Sequence, residues 1–260
     1  MPAAYRGVIF DVDGVLVDSP HEQAWRESLR QLMEGDWASV RATTTWSPNA
    51  FTPDLYAEHV SGLPRMVGAR AALEHFHVPD LERRTDAYAQ LKQTMVLELI
   101  EAGKFTAYPD ALRLLIALKD AGVSIAAASS SKNAGRLLRR VDLGAFAAQH
   151  GIHSPSARPG QSLLDVFDVD VSGRDFARGK PDPEIFLTAA RELGVEPAEA
   201  VVVEDAQSGV AAARAGGMAA VGIARNDDAD LLAAATLVVT SLDDVDVAAL
   251  ARGQVVTRPA

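Results

Sequence analysis

The composition of this 260-residue chain, with 48% hydrophobic and 23% charged residues, is that of an ordinary globular protein with a sizeable core. Its net charge of −10 argues against a general binder of nucleic acid or anionic membranes, and the absence of cysteine excludes disulfides and thiolate metal sites. Because the first residues lack the layout of a signal peptide and no apolar run reaches membrane-spanning length, we expect a cytoplasmic enzyme or binding protein.

Short apolar runs alternate with helical patterns along most of the chain. The strand candidates are Gly7–Phe10, Ser124–Ala128, Val166–Val171, Val201–Val203, Ala219–Ile223 and Leu237–Val239. The helix candidates between them are Asp110–Ala121, Lys132–Val141, Pro183–Leu193, Ser208–Ala215 and Asp227–Ala235. Most strand candidates are continuously apolar, which is typical of a parallel sheet covered on both faces. The alternation predicts an α/β protein with a doubly wound, Rossmann-like parallel sheet.

A long segment after the first strand breaks this alternation, because it carries helical patterns and no convincing strand. These patterns are Ala24–Met33, Pro64–Phe76 and Leu81–Ile100. The segment is large enough to form a separate subdomain. We therefore expect a helical insert at 19–103 within a core domain formed by 1–18 and 104–260.

Acidic side chains follow two of the predicted strands. Asp11 and Asp13 come directly after the first strand, and Glu204 and Asp205 come directly after Val201–Val203. In open α/β sheets, ligands bind outside the carboxyl ends of the strands. Crowded acids repel one another, and a divalent cation relieves this repulsion. With only oxygen ligands available, the pattern indicates Mg²⁺, although either pair alone is better explained as a helix cap.

Two further segments offer groups that suit a phosphate. In AAASSSKN, Ser129 to Ser131 lie between a strand and a helix start, where hydroxyl and N–H donors can hold an anion. In GKPDPEIF, Lys180 precedes a helix that starts with proline, and its ammonium group can hold phosphate and offset the acids. Taken alone, the serines are better explained as an N-cap and the lysine as a surface residue.

Together these segments resemble the four motifs of the haloacid dehalogenase-like superfamily, in the same order. The segments are DVDGVLVDS, the strand end at Ser129, Lys180 in GKPDPEIF, and VVVEDAQSGVAAARAGG. The helical insert resembles the cap of the β-phosphoglucomutase-like subfamily. The resemblance implies that Asp11 is a nucleophile that becomes an aspartyl-phosphate and that Asp13 is the general acid and base.

The resemblance also implies which residues bind the metal and the phosphate. The implied ligands of Mg²⁺ are Asp11, Asp13 through its backbone carbonyl, Glu204 and Asp205. The implied phosphate-binding residues are Ser129, Ser130 and Lys180. In the phosphoryl-transfer transition state, charge spreads over the equatorial oxygens, so these groups supply most of the stabilisation.

Residues of the insert resemble substrate-binding residues of β-phosphoglucomutases. His21 and Trp25 lie four apart on one predicted helical face, and Arg65, in VSGLPR, resembles a cap arginine that holds the second, non-transferring phosphate. SSSKN resembles the mutase form of the second motif. The implied substrate-binding residues are His21, Trp25, Arg65, Lys92, Lys132 and Asn133. Trp25 also fits plain packing, and Arg65 also fits an ordinary surface residue.

Two functions share this chemistry. In a hexose-phosphate mutase of the β-phosphoglucomutase type, the phosphoenzyme phosphorylates a sugar phosphate and takes back its other phosphate. In a small-molecule phosphatase, water is the acceptor. The cap residues favour the mutase, whereas segments 35–56 and 144–179, which are longer than in the family pattern, favour the phosphatase. We expect the mutase, acting as a monomer on a phosphorylated small molecule, without nucleic-acid or membrane partners.

Overall fold

A computed structural model of the chain describes residues 4–61, 63–225 and 229–259. The chain divides into two compact units. Met1–Asp18 and Thr106–Ala260 form the first, called the core unit, and Ser19–Phe105 form the second, called the cap unit. None of the described helices is both long and apolar enough to cross a membrane.

The strands of the core unit form a six-stranded sheet and a two-stranded ribbon. In chain order the strands are β1 (Gly7–Phe10), β2 (Val17–Asp18), β3 (Thr106–Ala107), β4 (Ser124–Ala127), β5 (Val169–Asp170), β6 (Ala200–Glu204), β7 (Ala219–Ile223) and β8 (Leu237–Val239). The large sheet has the order β5-β4-β1-β6-β7-β8, and every neighbouring pair is parallel. The ribbon pairs β2 with β3 in antiparallel fashion.

Helices make up the rest of the regular structure. Those of the cap unit are α1 (His21–Glu34), α2 (Pro53–His59), α3 (Arg65–His75) and α4 (Leu81–Glu101). Those of the core unit are α5 (Pro109–Asp120), α6 (Ala134–Arg140), α7 (Leu143–Gln149), α8 (Glu184–Leu193), α9 (Gln207–Ala215) and α10 (Val247–Leu250). The α/β fold expected from the sequence is confirmed.

Burial of apolar side chains organises each unit. In the core unit, Phe186 of α8 packs in one buried cluster with Ile9 of β1 and Val202 of β6, so the helix covers the centre of the sheet. In the cap unit, Trp25 and Tyr88 meet edge to face with their ring centroids 5.1 Å apart. The buried Tyr88 hydroxyl donates to the Trp25 carbonyl at 2.9 Å, so a polar group that burial would otherwise leave unsatisfied is paired.

The strand predicted at Val166–Val171 is shorter in the structure. Only Val169–Asp170 pairs with β4, and Val166 ends a 3₁₀ turn. The Asp168 carboxylate accepts the Ile125 N–H at 2.8 Å. A side-chain oxygen therefore satisfies this N–H of β4, and the backbone there need not be a strand.

The helix predicted at Asp227–Ala235 is also different. Among residues 229–235 the structure has only a 3₁₀ turn, Ala229–Leu232, and positions 227 and 228 lie outside the described residues. The helix predicted at Lys132–Val141 begins at Ala134. The Asn133 N–H there donates to the Ser131 hydroxyl at 3.2 Å, which continues the serine turn and delays the helix start.

Candidate active site

The parallel register brings the ends of three strands together. Phe10 of β1 lies beside Ala127 of β4 and beside Val203 of β6. The residues that follow these three positions along the chain are the predicted acids and serines. β1, which is buried along its whole length and lies between β4 and β6, therefore places Asp11 between the serines after β4 and the acids at the end of β6.

Asp11 is buried and held on both its backbone and its side chain. Its N–H donates to the Val203 carbonyl at 3.0 Å, which continues the β1–β6 ladder by one residue. Its Oδ1 accepts from the Lys180 ammonium at 2.6 Å. Burial raises the pKa of Asp11 to about 7, and the charges of Glu204 and Asp13 act in the same direction, against the opposing charge of Lys180.

Lys180 is the cation at the centre of the acids and not a surface lysine. Its side chain is 11% exposed, and its ammonium lies 2.6 Å from Asp11 Oδ1 and 2.5 Å from Glu204 Oε1. Although burial lowers its pKa, the charges of Asp11 and Glu204 outweigh burial and raise it. Lys180 is therefore held as a positive charge against the oxygen of Asp11.

Glu204, predicted as a metal ligand, is engaged by three protein donors. Oε1 accepts from Lys180, and Oε2 accepts the N–H groups of Asp205 and Ala206, each at 2.9 Å. A Cβ at Gly209 would lie 1.8 Å from Oε1, so the helix α9 encloses the carboxylate closely. These contacts orient Lys180, and the role of Glu204 as a metal ligand stays a prediction.

Asp205 packs against the turn that carries Asp13. A Cβ at Gly14 would lie 1.8 Å from Asp205 Oδ2, which only a glycine permits. Burial raises the pKa of Asp205 well above its ordinary value, and the negative charges of Glu204 and Asp11 add to this shift. The site therefore holds more carboxylate charge than Lys180 alone offsets.

This donor set fits a hard divalent cation such as Mg²⁺. Within residues 4–61, 63–225 and 229–259, no three acidic, histidine or cysteine side chains form a group that could hold a metal alone. Mg²⁺ is typically bound by only one or two carboxylates, with waters and substrate phosphate completing the coordination. The carboxylates of Asp11, Glu204 and Asp205 and the Asp13 carbonyl are the protein oxygens predicted for this role.

Ser129, after β4, contacts the predicted general acid and base. Its buried hydroxyl donates to Asp13 Oδ2 at 3.2 Å and accepts the Ser131 N–H at 3.1 Å. Its own N–H donates to the Ser172 hydroxyl at 3.2 Å. Ser129 is therefore fixed from both sides and constrains the Asp13 carboxyl, and the next residue, Ser130, is exposed.

The other two predicted residues of this segment have different surroundings. The ammonium of Lys132 lies 2.5 Å from Asp175 Oδ1 and its side chain is 55% exposed, whereas Asn133 is buried. The ion pair directs Lys132 to a surface partner. The role of Lys132 in ligand binding stays a prediction.

The predicted cap residues fall into a buried pair and two more exposed residues. Lys92 is buried, and its ammonium lies 4.7 Å from the centroid of the buried Trp25 ring, at cation–π distance. His21 begins α1 and is partly exposed. Arg65 begins α3 and is exposed, available for a ligand but also as expected of an ordinary surface arginine.

Sequence reasoning missed Arg225, which follows β7 closely. Its guanidinium donates to the carbonyls of Gly14 and Val15 at 3.2 and 3.0 Å. It also pairs with Asp110 at 2.8 Å and stacks on the Tyr108 ring at 3.8 Å. The available signal was its position, because a charged residue just beyond the carboxyl end of a sheet strand lies on the side where ligands bind.

Comparison with known proteins relates this geometry to one family. The sequence profile of the haloacid dehalogenase-like hydrolases matches residues 5–217. The β-phosphoglucomutase of Bacillus subtilis (strain 168) is 29% identical over 252 residues, covering 92% of this chain and 91% of that protein. The validoxylamine A 7′-phosphate phosphatase of Streptomyces hygroscopicus subsp. limoneus is 29% identical over 243 residues, covering 93% and 96%.

A solved structure extends the likeness to the fold. The archaeal β-phosphoglucomutase from Pyrococcus sp. strain ST 04 has a TM-score of 0.68 and 30% identity, and the match covers 94% of this chain and 96% of that chain. The chain is therefore similar along almost its whole length to named mutases, and equally similar in sequence to a named phosphatase.

Proposed function

Since this chain belongs to the haloacid dehalogenase-like hydrolases, we propose that it catalyses Mg²⁺-dependent phosphoryl transfer through an aspartyl-phosphate on Asp11. The observation that carries this proposal is the buried lysine between two acids. Lys180 lies 2.6 Å from Asp11 Oδ1 and is held there by Glu204. A carboxylate placed at a strand end, oriented by a fixed cation and neighboured by a second acid, Asp13, is suited to attack phosphorus.

The residues divide the reaction between them. Because Lys180 engages Oδ1 of Asp11, we assign the attack on phosphorus to Oδ2. As the bond from phosphorus to the leaving oxygen breaks, Asp13 donates its proton to that oxygen. In the second half-reaction Asp13 takes a proton from the acceptor hydroxyl, which attacks the aspartyl-phosphate and restores Asp11. Ser129 constrains the Asp13 carboxyl through both steps.

Charge on the transferring group is balanced by the surrounding residues. Lys180 supplies a fixed positive charge, and Ser129 and Ser130 are proposed to bind the phosphoryl oxygens. Asp11, Glu204, Asp205 and the Asp13 carbonyl would hold Mg²⁺, which when bound supplies electrostatic stabilisation of the equatorial oxygens. Preorganised charges of this kind need no rearrangement during the reaction.

For the substrate, we propose a hexose phosphate and a mutase reaction of the β-phosphoglucomutase type. Relatives with this name match almost the full chain, and the insert supplies an exposed arginine, Arg65, suited to bind the second phosphate. His21, Trp25 and Lys92 are proposed to contribute to sugar binding. A mutase reaction also requires that water be kept from the aspartyl-phosphate, which it would otherwise hydrolyse.

Phosphatase activity on a small sugar phosphate is the second candidate, favoured by two observations. A named phosphatase is as similar to this chain as a named mutase, at 29% identity. The ion pair with Asp175 engages Lys132, one of the residues that the mutase resemblance places near the ligand. In this reaction water is the acceptor and Asp13 keeps its role.

Phosphorus NMR distinguishes the two functions. The protein is mixed with Mg²⁺, β-glucose 1-phosphate and a trace of glucose 1,6-bisphosphate. Growth of glucose 6-phosphate with little inorganic phosphate supports the mutase, whereas growth of inorganic phosphate alone supports the phosphatase. Phosphoryl transfer that survives in the Asp11→Asn variant, or full activity in chelator, would refute the shared chemistry.

A matched pair of variants tests the cap arginine. Arg65→Ala should remove most mutase activity, because the second phosphate loses its partner. Arg70→Ala is the control, since Arg70 lies on the same helix, is exposed and pairs with Glu74 at 2.8 Å. Equal activities of the two variants would contradict the role of Arg65 and favour the phosphatase.

A further inference from the structure

We propose that Arg225 is a positioning residue that fixes the turn carrying Asp13, and thereby directs the acid–base carboxyl toward the leaving oxygen. This inference rests on the function proposed above. Arg225 lies more than 200 residues from the turn in sequence, and the fold brings it there from the loop after β7.

The first observation is a forked contact with the turn backbone. Nε of Arg225 donates to the Gly14 carbonyl at 3.2 Å, and Nη2 donates to the Val15 carbonyl at 3.0 Å. Two successive carbonyls are thus held by one planar group. A guanidinium has fixed donor directions, so this contact restrains both the position and the orientation of the turn.

The second observation is that the guanidinium is itself held in place. Its Nη1 donates to Asp110 Oδ2 at 2.8 Å, and its carbon lies 3.8 Å from the centroid of the Tyr108 ring. Asp110 is buried, and its carboxylate also accepts the N–H groups of Ala111 and Leu242 at 2.9 and 2.8 Å. Arg225 is therefore held rigidly where it contacts the turn.

These contacts distinguish positioning from direct binding of phosphate. All three nitrogens of the Arg225 guanidinium donate to the protein, and its side chain is only 15% exposed. A substrate anion would have to compete with the buried carboxylate of Asp110 and with two backbone carbonyls. The geometry points to a structural partner of the reacting group.

The turn transmits the restraint to Asp13. The Gly14 N–H donates to the Val17 carbonyl at 2.8 Å, and the N–H groups of Leu16 and Val17 both donate to the Val12 carbonyl at 3.0 Å. Asp13 lies inside this closed loop, and Ser129 holds its carboxyl from the other side. A shift of the Gly14–Val15 backbone therefore moves the acid relative to Asp11, and proton transfer is sensitive to displacements on the order of 1 Å.

The kinetic test uses two esters that differ in their need for an acid. When a glucose phosphate gives its phosphoryl group to Asp11, the sugar leaves as an alkoxide and needs a proton. From p-nitrophenyl phosphate, the leaving group is a stable phenolate that needs none. We expect Arg225→Lys and Arg225→Gln to lower kcat/KM for the sugar phosphate about 100-fold and for the phenyl ester only slightly. A role confined to folding would lower both values equally, and that result would overturn the proposal.

A matched control and a second readout complete the test. Arg113→Gln removes another arginine that pairs with a carboxylate, through Nε and Nη2 to Asp243, at a site that does not touch the turn. Arg225→Lys keeps the charge beside Asp110 and so remains informative if Arg225→Gln does not fold. We expect hydrogen exchange of the peptide at 12–18 to be faster in Arg225→Lys than in Arg113→Gln.

The two readouts separate the outcomes. Unchanged exchange at 12–18 would overturn the positioning role, whatever the activity. Faster exchange with a changed ratio of the two kcat/KM values supports the proposal, and faster exchange with an unchanged ratio overturns its catalytic part. If the wild-type protein acts on neither ester and forms no aspartyl-phosphate, the proposed function fails, and with it the catalytic role of Arg225. Hydrogen exchange at 12–18 then still decides whether Arg225 fixes the turn.

Discussion

Replacement of Gly14 by alanine would place a methyl group among the acids of the site. The Cβ would lie 1.8 Å from Asp205 Oδ2 and 2.4 Å from its Cγ. To reach even 3.0 Å, the carboxylate or the turn must move by about 1.2 Å. Because misplacement of catalytic groups by about 1 Å can cost about 100-fold in rate, we expect kcat/KM to fall by roughly this factor and Mg²⁺ binding to weaken.

Backbone strain contributes separately, and a second glycine measures it. Gly14 has φ +81° and Gly122 has φ +75°, but a Cβ at Gly122 would meet nothing within 4 Å. Because alanine disfavours the left-handed backbone, alanine at either position should lower the free energy of unfolding by about 1–2 kcal/mol. This corresponds to a Tm lower by roughly 2–8 °C. Gly122→Ala should therefore lose stability and keep its activity.

Three measurements on both variants separate strain from displacement. Thermal unfolding gives the cost in stability, steady-state kinetics give kcat/KM, and calorimetric titration gives the affinity for Mg²⁺. If Gly14→Ala retained the activity and the metal affinity of Gly122→Ala, the reasoning that Asp205 packs against this turn in the active protein would be refuted.

Three more predictions follow from the charges of the site. Asp11→Asn should fold as the wild type does but form no aspartyl-phosphate, which acid-quench labelling with a radioactive substrate would detect; any label retained at wild-type levels would contradict Asp11 as the nucleophile. Lys180→Met leaves two buried carboxylates without their shared cation and should lower the free energy of unfolding by about 3–5 kcal/mol. The control in urea denaturation is Lys119→Met, which breaks a more exposed pair with Asp168 and should cost less than about 1 kcal/mol. In chelator, the free energy of unfolding should fall as pH rises from about 4 to about 7, because native Asp11 keeps its proton up to a pKa of about 7 while the unfolded chain releases it near 3.8. Asp11→Asn should reduce this slope in urea denaturation at several pH values, and an unchanged slope would show that another group causes it.

Local sequence signals predicted the strands and the acids well. The candidates Gly7–Phe10, Ala219–Ile223 and Leu237–Val239 have the bounds of β1, β7 and β8, because a buried parallel strand is an uninterrupted apolar run. The acids at the ends of β1 and β6 are equally local signals. Their assembly could be predicted from the sheet rule alone, since neighbouring parallel strands end at the same edge.

Features that depend on distant contacts or very short elements were not predictable in this way. The ribbon of β2 and β3 has two residues in each strand, too few to show a period. Arg225 looks like a loop residue until its partners are known, and these lie 115 to 211 residues away. The contact of Glu204 with Lys180 likewise joins two distant segments of the chain.

The central position of β1 in the sheet has a consequence for protein synthesis. β1 is made first, but its partners on either side begin at Ser124 and Ala200. At roughly 5–20 residues per second, the second partner emerges about 10–40 s after β1. During that interval the apolar strand has an open edge, and its acids have neither Lys180 nor Asp205 beside them. Asp11, the proposed nucleophile, is thus translated before Lys180 and Asp205, and the candidate site is complete only after residue 205.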